Sequence, residues 1–298
     1  MKNHISVVIP TFRREKLLLR SLRYILPQLH EQDEVIVCND DREGHSCGDI
    51  IKSLNDGRVT LVNNDASKGP ASTRNIGASH AKNNLILFLD DDDILVDGYL
   101  QSLRQTLNVY PEADYGYSNI EITYGTAWQD KLKKLAPEVA SPVTKSKDKL
   151  FGACCGFWIK KGVFEKVGKF DVTLWNSEDN DLCARLHAAK FKCLKFQRKW
   201  VLVCRSHQDG AQNITSRTQN SQKVKCWWKV YSKNSKNLPL TDGVRVTLLE
   251  RFIRRAVKFN LTDYAAKKMS QNLLDPLIIM GFLYLGGKYI SKIIKQKN

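Results

Sequence analysis

The stretch Leu85-Ile86-Leu87-Phe88-Leu89-Asp90-Asp91-Asp92-Asp93 decides the fold. A five-residue run of branched and aromatic side chains reads as a buried strand of an α/β sheet. Four carboxylates at its end repel one another unless a cation or a positive partner sits among them. In open α/β sheets ligands bind beyond the carboxyl ends of the strands. The position therefore predicts a hard divalent metal with oxygen ligands, one that also holds a phosphate. The bland alternative is a solvated acidic turn capping the next helix, but one cap needs one Asp.

Working outward, strand and helix signals alternate, the pattern of a sheet built from βαβ units. Ile5–Ile9 is a strand broken by Pro10, and Arg14–His30 carries leucines and isoleucines at helical spacing. Strands follow at Glu34–Cys38 and Arg58–Val62, with a helix over Cys47–Leu54 between them. Gly69-Pro70 starts a helix with proline at its favoured first position. Beyond Asp97 the spacing predicts a helix to Tyr110 and a strand over Tyr115–Tyr124; residues 125–149 read as a mobile loop. A small, apolar segment, Gly152–Ile159, precedes a short helix near Gly162–Val167. A helix within Trp175–Lys190 starts at Ser177-Glu178-Asp179, and two strands, Cys193–Phe196 and Trp200–Val203, close the core. Basic helices are expected near 221–232, 243–259 and 262–292.

The chain has 298 residues, enough for one large α/β unit with an appendage. Its first apolar run is too short for a signal-peptide core, and no stretch has the eighteen apolar residues of a spanning helix, so a cytoplasmic protein is expected. Eight cysteines without CxxC spacing read as reduced core residues. The net charge of +16 is uneven: residues 189–298 hold 23 Lys/Arg against 5 Asp/Glu, leaving 24 against 26 elsewhere. Such asymmetry points the last third at a polyanion, either nucleic acid or an anionic membrane. Residues 273–285 are apolar nearly all round and are followed by Lys288, Lys292, Lys295 and Lys297. A helix of that kind is buried in a partner or lies in a bilayer interface.

Each early strand ends in a polar group: Pro10-Thr11-Phe12-Arg13, then Asn39-Asp40-Asp41, then Asn63-Asn64-Asp65 leading to Gly69 and Arg74, then the aspartates. The set of Val7–Phe12, Asn39-Asp40, Gly69 to Gly77, Phe88–Asp93 and Glu178-Asp179 resembles the family 2 glycosyltransferases of the GT-A fold, over about residues 4–208. The resemblance implies a Rossmann-like, mostly parallel central sheet with helices on both faces. It divides the chain into a catalytic domain, 1–208, and a basic helical extension, 209–298. The implied activity is transfer of a hexose-type sugar from a nucleotide diphosphate sugar, with inversion, to a hydroxyl.

Residue by residue, the resemblance assigns Pro10, Thr11, Phe12, Arg14, Asp40, Arg74, Asp90 and Asp91 to the nucleotide, with Asp40 accepting from the base imide. It assigns Mn²⁺ or Mg²⁺ to Asp92 with His207, and Asp179 as base with Glu178 touching donor or acceptor. Gly156, Trp158, Trp175 and Arg205 fall to the sugars or the diphosphate. One departure is Asn39, where the family has a first Asp. The chemistry fits independently: a divalent ion neutralises a departing diphosphate, and an acceptor hydroxyl needs a carboxylate base. Uridine is the expected base of the donor. By class, the acceptor is expected to be a glycan or lipid-linked glycan of bacterial surface polysaccharide (O-antigen, capsule or lipopolysaccharide). The enzyme is then expected on the cytoplasmic side of the inner membrane, held there by its basic helices and making no use of nucleic acid. Oligomerisation stays open. The competing readings are a nucleic-acid-binding protein and a nucleotide-sugar-binding protein without activity.

Overall fold

The structure, a computed structural model, describes residues 3–41, 47–65, 69–132, 134–151, 154–205 and 218–281. Nine strands form one sheet: β1 (Ile5–Thr11), β2 (Glu34–Asn39), β3 (Val59–Asn63), β4 (Leu85–Phe88), β5 (Asp93–Leu95), β6 (Tyr115–Tyr124), β7 (Ser141–Pro142), β8 (Phe157–Lys160) and β9 (Cys193–Arg205). Their order is β3-β2-β1-β4-β8-β6-β9-β5, with β7 beside β9. The pairs β3–β2–β1–β4 and β6–β9 are parallel, whereas β8, β5 and β7 run against their neighbours. The mostly parallel α/β sheet is thus as expected.

β1, β2 and β4 are apolar and buried on both faces, as a central parallel sheet requires. Alternate residues of β1 show why both faces need cover: Val8 joins one core, and Ile5, Val7 and Ile9 join the other. The second core holds α1 (Glu15–Ile25), α2 (Cys47–Leu54) and α4 (Tyr99–Val109). The first holds α3 (Pro70–His80), α6 (Lys161–Lys166) and α7 (Glu178–Ala188), with α5 (Ser146–Lys149) at its margin.

The same core also takes in α8 (Asn220–Asn234), α9 (Gly243–Lys258) and α10 (Thr262–Ser270) through Val224, Trp227, Leu248 and Phe252. Asp181, fully buried on α7, accepts from Asn234 Nδ2 at 2.9 Å and pairs with Lys233 at 3.0 Å. The basic extension therefore shares its apolar core with the sheet. All eight cysteines are free and seven are buried, as their apolar neighbours indicate.

Three expectations differ from what is found. The two closing strands are one, because Glu138 accepts from the backbone N–H of Gln197 at 2.9 Å and of Arg198 at 3.1 Å. That bond carries the chain through a polar stretch where β9 shifts register against β6. Residues 125–149 are not a bare loop: Ala140 is buried and its N–H donates to Thr106 Oγ1 at 3.0 Å. The third basic helix ends at Ser270, and a new helical turn begins at 276 after a turn over 271–274. Among the described residues no helix is long and apolar enough to cross a membrane.

Candidate active site

The parallel strands deliver their polar ends to one edge, which opens into a cleft of about 990 Å³. At its floor Thr11, ending β1, donates through Oγ1 to Asp91 Oδ2 at 2.7 Å. Arg14 donates to Asp91 Oδ1 at 3.1 Å and to Asp92 Oδ2 at 2.9 Å. Burial works against the Arg14 charge, but Asp91 and Asp92 outweigh it and raise its pKa. Burial, then repulsion from Asp92, pushes Asp91 up to about 7, while burial holds Asp93 well above the carboxylate range. Burial and mutual repulsion thus disfavour ionisation of the whole cluster in the absence of a cation.

Asp90, Asp92 and Asp93 each present a ligand oxygen, all within 4.8 Å of one another. Three hard oxygen donors this close together, in a setting that disfavours their charged forms, fit a divalent cation such as Mn²⁺ or Mg²⁺. Asp93 belonged to the quoted run but not to the expected ligands. Its burial in β5, where Oδ1 accepts from Cys204 N–H at 3.2 Å, is set by a strand pairing that the sequence pattern hides.

Pro10, Thr11, Phe12, Arg14 and Asp40, the residues expected to meet a nucleotide, line the cleft together. Asp40 accepts from Asn64 Nδ2 at 2.8 Å and from Gly69 N–H at 2.9 Å. Gly69 has φ +116°, open to glycine, and no side chain blocks this approach. A carboxylate has about four lone-pair sites, so Asp40 keeps acceptor capacity for a ligand. Asn39 explains its own departure from the family. Its Nδ2 donates to the Asp41 carbonyl at 2.9 Å and to Asn63 Oδ1 at 3.3 Å, which an Asp in its place has no donor to do.

Arg74, buried on α3, donates to Asp90 Oδ1 at 2.6 Å and to Glu178 Oε1 at 2.9 Å. Burial opposes its charge, yet the acidic groups around it hold its pKa well above the arginine value. It therefore joins the aspartate cluster to the second acidic pair. That pair starts α7 after Ser177, which takes a left-handed φ of 67°. Glu178 is buried and clamped; burial, then Asp179, pushes it up to about 7. Asp179 is half-buried, forms no ion pair among the described residues, and accepts through Oδ1 from Asn180 N–H at 2.7 Å and Nδ2 at 2.8 Å. Burial raises its pKa as well.

Trp175 and Arg205 line the cleft, Trp175 over half exposed and beside Gly69. The structure does not bring Gly156 and Trp158 there. Trp158, in the middle of β8, is fully buried against Gly116, where a Cβ would come within 2.6 Å of its ring. Gly156 serves packing: at φ +72°, a Cβ there would meet Val201 Cγ2 at 2.5 Å. β8 is buried on both faces, with Phe157 and Ile159 in one core and Trp158 in the other, and neither Gly156 nor Trp158 lines the cleft. His207 lies outside the described residues, as do Gly152 and the lysines at 288, 292, 295 and 297. The far wall was not expected: Trp227 of α8 and Arg251, Arg254 and Arg255 of α9 complete it. Their only signal in the sequence is the basic i, i+3, i+4 spacing on an amphipathic helix.

Comparison with known proteins identifies the family. A family model, "Glycosyl transferase family 2", matches residues 6–168. The chain is 28% identical over 118 residues to WfgD of Escherichia coli, a UDP-Glc:alpha-D-GlcNAc-diphosphoundecaprenol beta-1,3-glucosyltransferase, covering 40% of this chain and 46% of WfgD. It is 32% identical over 219 residues to WfaP, of the same described activity and organism, covering 65% of this chain and 81% of WfaP. A third relative, the GalNAc(5)-diNAcBac-PP-undecaprenol beta-1,3-glucosyltransferase of Campylobacter jejuni, is 31% identical, with 45% of this chain and 41% of that protein covered. The chain thus matches less than half the length of WfgD and of the Campylobacter enzyme. Among solved structures, S. aureus TarS (residues 1–349) with UDP-GlcNAc is similar in fold at a TM-score of 0.69 and 16% identity, covering 86% of this chain and 73% of that one.

Proposed function

The chain belongs to glycosyl transferase family 2, and from that premise we propose that it moves a hexose from a UDP-sugar, with inversion, onto a hydroxyl of a lipid-linked glycan of bacterial surface polysaccharide. The observation that carries this reading is the unequal treatment of two adjacent carboxylates. Arg74 clamps Glu178, while Asp179 stands half-buried on the cleft and among the described residues has no ion-pair partner, Arg74 and Arg251 acting on it only at longer range. A general base has to be reachable, ionisable near neutral pH and not already neutralised.

The acceptor hydroxyl is taken to approach from the α9 side of the cleft and the donor to lie along Asp40, Thr11 and the aspartates. As the hydroxyl oxygen bonds to the anomeric carbon, Asp179 takes its proton. The bond to the diphosphate breaks on the opposite face and UDP leaves with the electron pair. Glu178, fixed through Arg74 to Asp90, orients a sugar hydroxyl. A divalent ion held by Asp90, Asp92 and Asp93 would neutralise charge building on the departing diphosphate. Undecaprenol-linked acceptors in the names of WfgD and WfaP support the acceptor class.

We place the enzyme peripherally on an anionic membrane. In support, Leu273, Leu274, Ile279 and Met280 are exposed on the turn and helical turn that follow α10. Donor hydrolysis across a panel of nucleotide sugars, with Asp179→Asn as control, tests the reading. Turnover by no nucleotide sugar sinks it.

A further inference from the structure

Arg251, Arg254 and Arg255 put three like charges on one face of α9, along the cleft wall. Like charges at this spacing destabilise a helix. Burial, then Arg251 and Arg254, holds the Arg255 pKa below the ordinary arginine value. Asp179 offsets part of this for Arg251 and Arg255 without reaching ion-pair distance of either. Glu250 takes Arg254 at 3.2 Å, on side chains 67% and 51% exposed. Among the described residues no carboxylate lies within ion-pair distance of Arg251 or Arg255. Neutral groups hold them instead. Arg251 donates to Asn180 Oδ1 and to the Leu150 carbonyl at 3.1 Å, and Arg255 lies 4.3 Å above the buried Trp227 ring. Guanidinium groups fixed by neutral partners in a cleft are arranged for a phosphate anion that arrives from solution.

Residues Glu178, Asp179 and Asn180 are consecutive: Glu178 accepts from Arg74, which also holds Asp90, and Asn180 accepts from Arg251. The arginines of α9 therefore lie across the base from the aspartate cluster that suits the donor diphosphate. We propose that Arg251, Arg254 and Arg255, on the Trp227 platform, form a subsite for a diphosphate ester carried by the acceptor, one sugar away from the hydroxyl that Asp179 deprotonates. This rests on the transferase reading above. Three guanidinium groups answer the two charges of a diphosphate diester and leave the acceptor's lipid to run outward. The adjoining cavity of about 360 Å³ shares Ile120 and Arg251 with the cleft and is lined by Lys147, Lys195 and Lys199, extending the positive path.

The test needs no knowledge of the acceptor sugar. With full-length protein saturated in UDP and Mn²⁺, binding of farnesyl diphosphate, farnesol, inorganic pyrophosphate and phosphatidylglycerol vesicles is measured by titration calorimetry. Farnesyl diphosphate is expected to bind without releasing UDP, and farnesol not at all. The Arg254→Gln/Arg255→Gln variant should weaken the diphosphate by about tenfold or more per arginine. Arg255→Lys should recover part of the loss, since charge returns without the fork. UDP protection against heating verifies that the variants fold; should the double variant not fold, Arg254→Gln alone carries the comparison. Unchanged affinity, displacement of UDP, or a loss seen with vesicles only would overturn the subsite. Failure of every nucleotide sugar to turn over would remove the transferase reading while leaving this binding measurement intact.

Discussion

The Arg74 guanidinium donates to Glu178 at 2.9 Å and thereby couples α3 to the start of α7 across 104 residues of sequence. Both side chains are nearly buried, at 7% and 11% exposure, so neither has water to fall back on. Truncating one partner of a buried pair leaves an uncompensated charge and costs about 3 kcal/mol. Arg74→Ala should lose about that much stability in urea unfolding, and adding Glu178→Gln should restore part of it. Additive losses in the double variant would show that the pair is not coupled.

The roles of the two neighbouring carboxylates separate by substitution. Asp179→Asn retains shape without basicity and should lower kcat by roughly 10²–10⁴-fold while UDP still protects against heating. Glu178→Gln, which weakens its bond to Arg74, should raise KM and lower kcat less. Reversed magnitudes would exchange the two assignments.

The acid limb of the pH profile follows from burial. Burial and then Asp179 raise Glu178 to about 7, and burial raises Asp179. A raised carboxylate pKa means the group holds its proton to higher pH, so the active ionised pair is lost as pH falls. Transfer should therefore decline below about pH 7 and level off above it. A profile flat between about pH 5 and 9 would remove a carboxylate base from the mechanism.

The aspartate run, the acidic pair and the strand ends were legible because each sits at a strand or helix terminus that hydrophobic pattern locates. Composition showed a small, apolar segment over Gly152–Ile159 and not the strand β8 within it. It did not tell which of its faces meets the cleft, and Trp158 turned inward against Gly116. Arg251, Arg254 and Arg255 were visible only as charge on a helix. Their place at the cleft depends on α8 packing on α7 through Asn234, Lys233 and Asp181, and on Arg251 of α9 reaching Asn180, contacts 52 or more residues apart. The single strand β9 was read as two for a like reason, since the Glu138 contacts that carry it through Gln197 and Arg198 are 59 and 60 residues distant.

Metal dependence has a chelator test and a pH test. Wild-type transfer should vanish in excess EDTA and return with Mn²⁺, and Asp92→Ala should lose turnover by orders of magnitude. Asp91, pushed up to about 7 by burial and then Asp92, is protonated on the acid side of that value, so apparent Mn²⁺ affinity should strengthen as pH rises through 7. UDP with Mn²⁺ should protect against heating better than GDP or CMP, given Asp40 as acceptor for a uracil imide. Equal protection by GDP would withdraw the uridine assignment.

Attachment to membranes turns on the residues after α10. Ile278 is buried, and a Cβ at Gly281 would meet Met269 Cε at 2.7 Å and Ile253 Cδ1 at 2.9 Å, so one side of this turn belongs to the core. Truncation there would damage folding and say nothing about lipid. Leu274, Ile279 and Met280 are exposed, at 101%, 53% and 66%, and removing their apolar surface leaves the core contacts in place. Leu274→Ser with Met280→Gln should keep the thermal midpoint within a degree or two while reducing sedimentation with phosphatidylglycerol vesicles by about tenfold or more, as expected for losing two apolar side chains from an interface. Vesicle binding unchanged in this variant, or absent in the wild type, would assign the exposed residues to another contact.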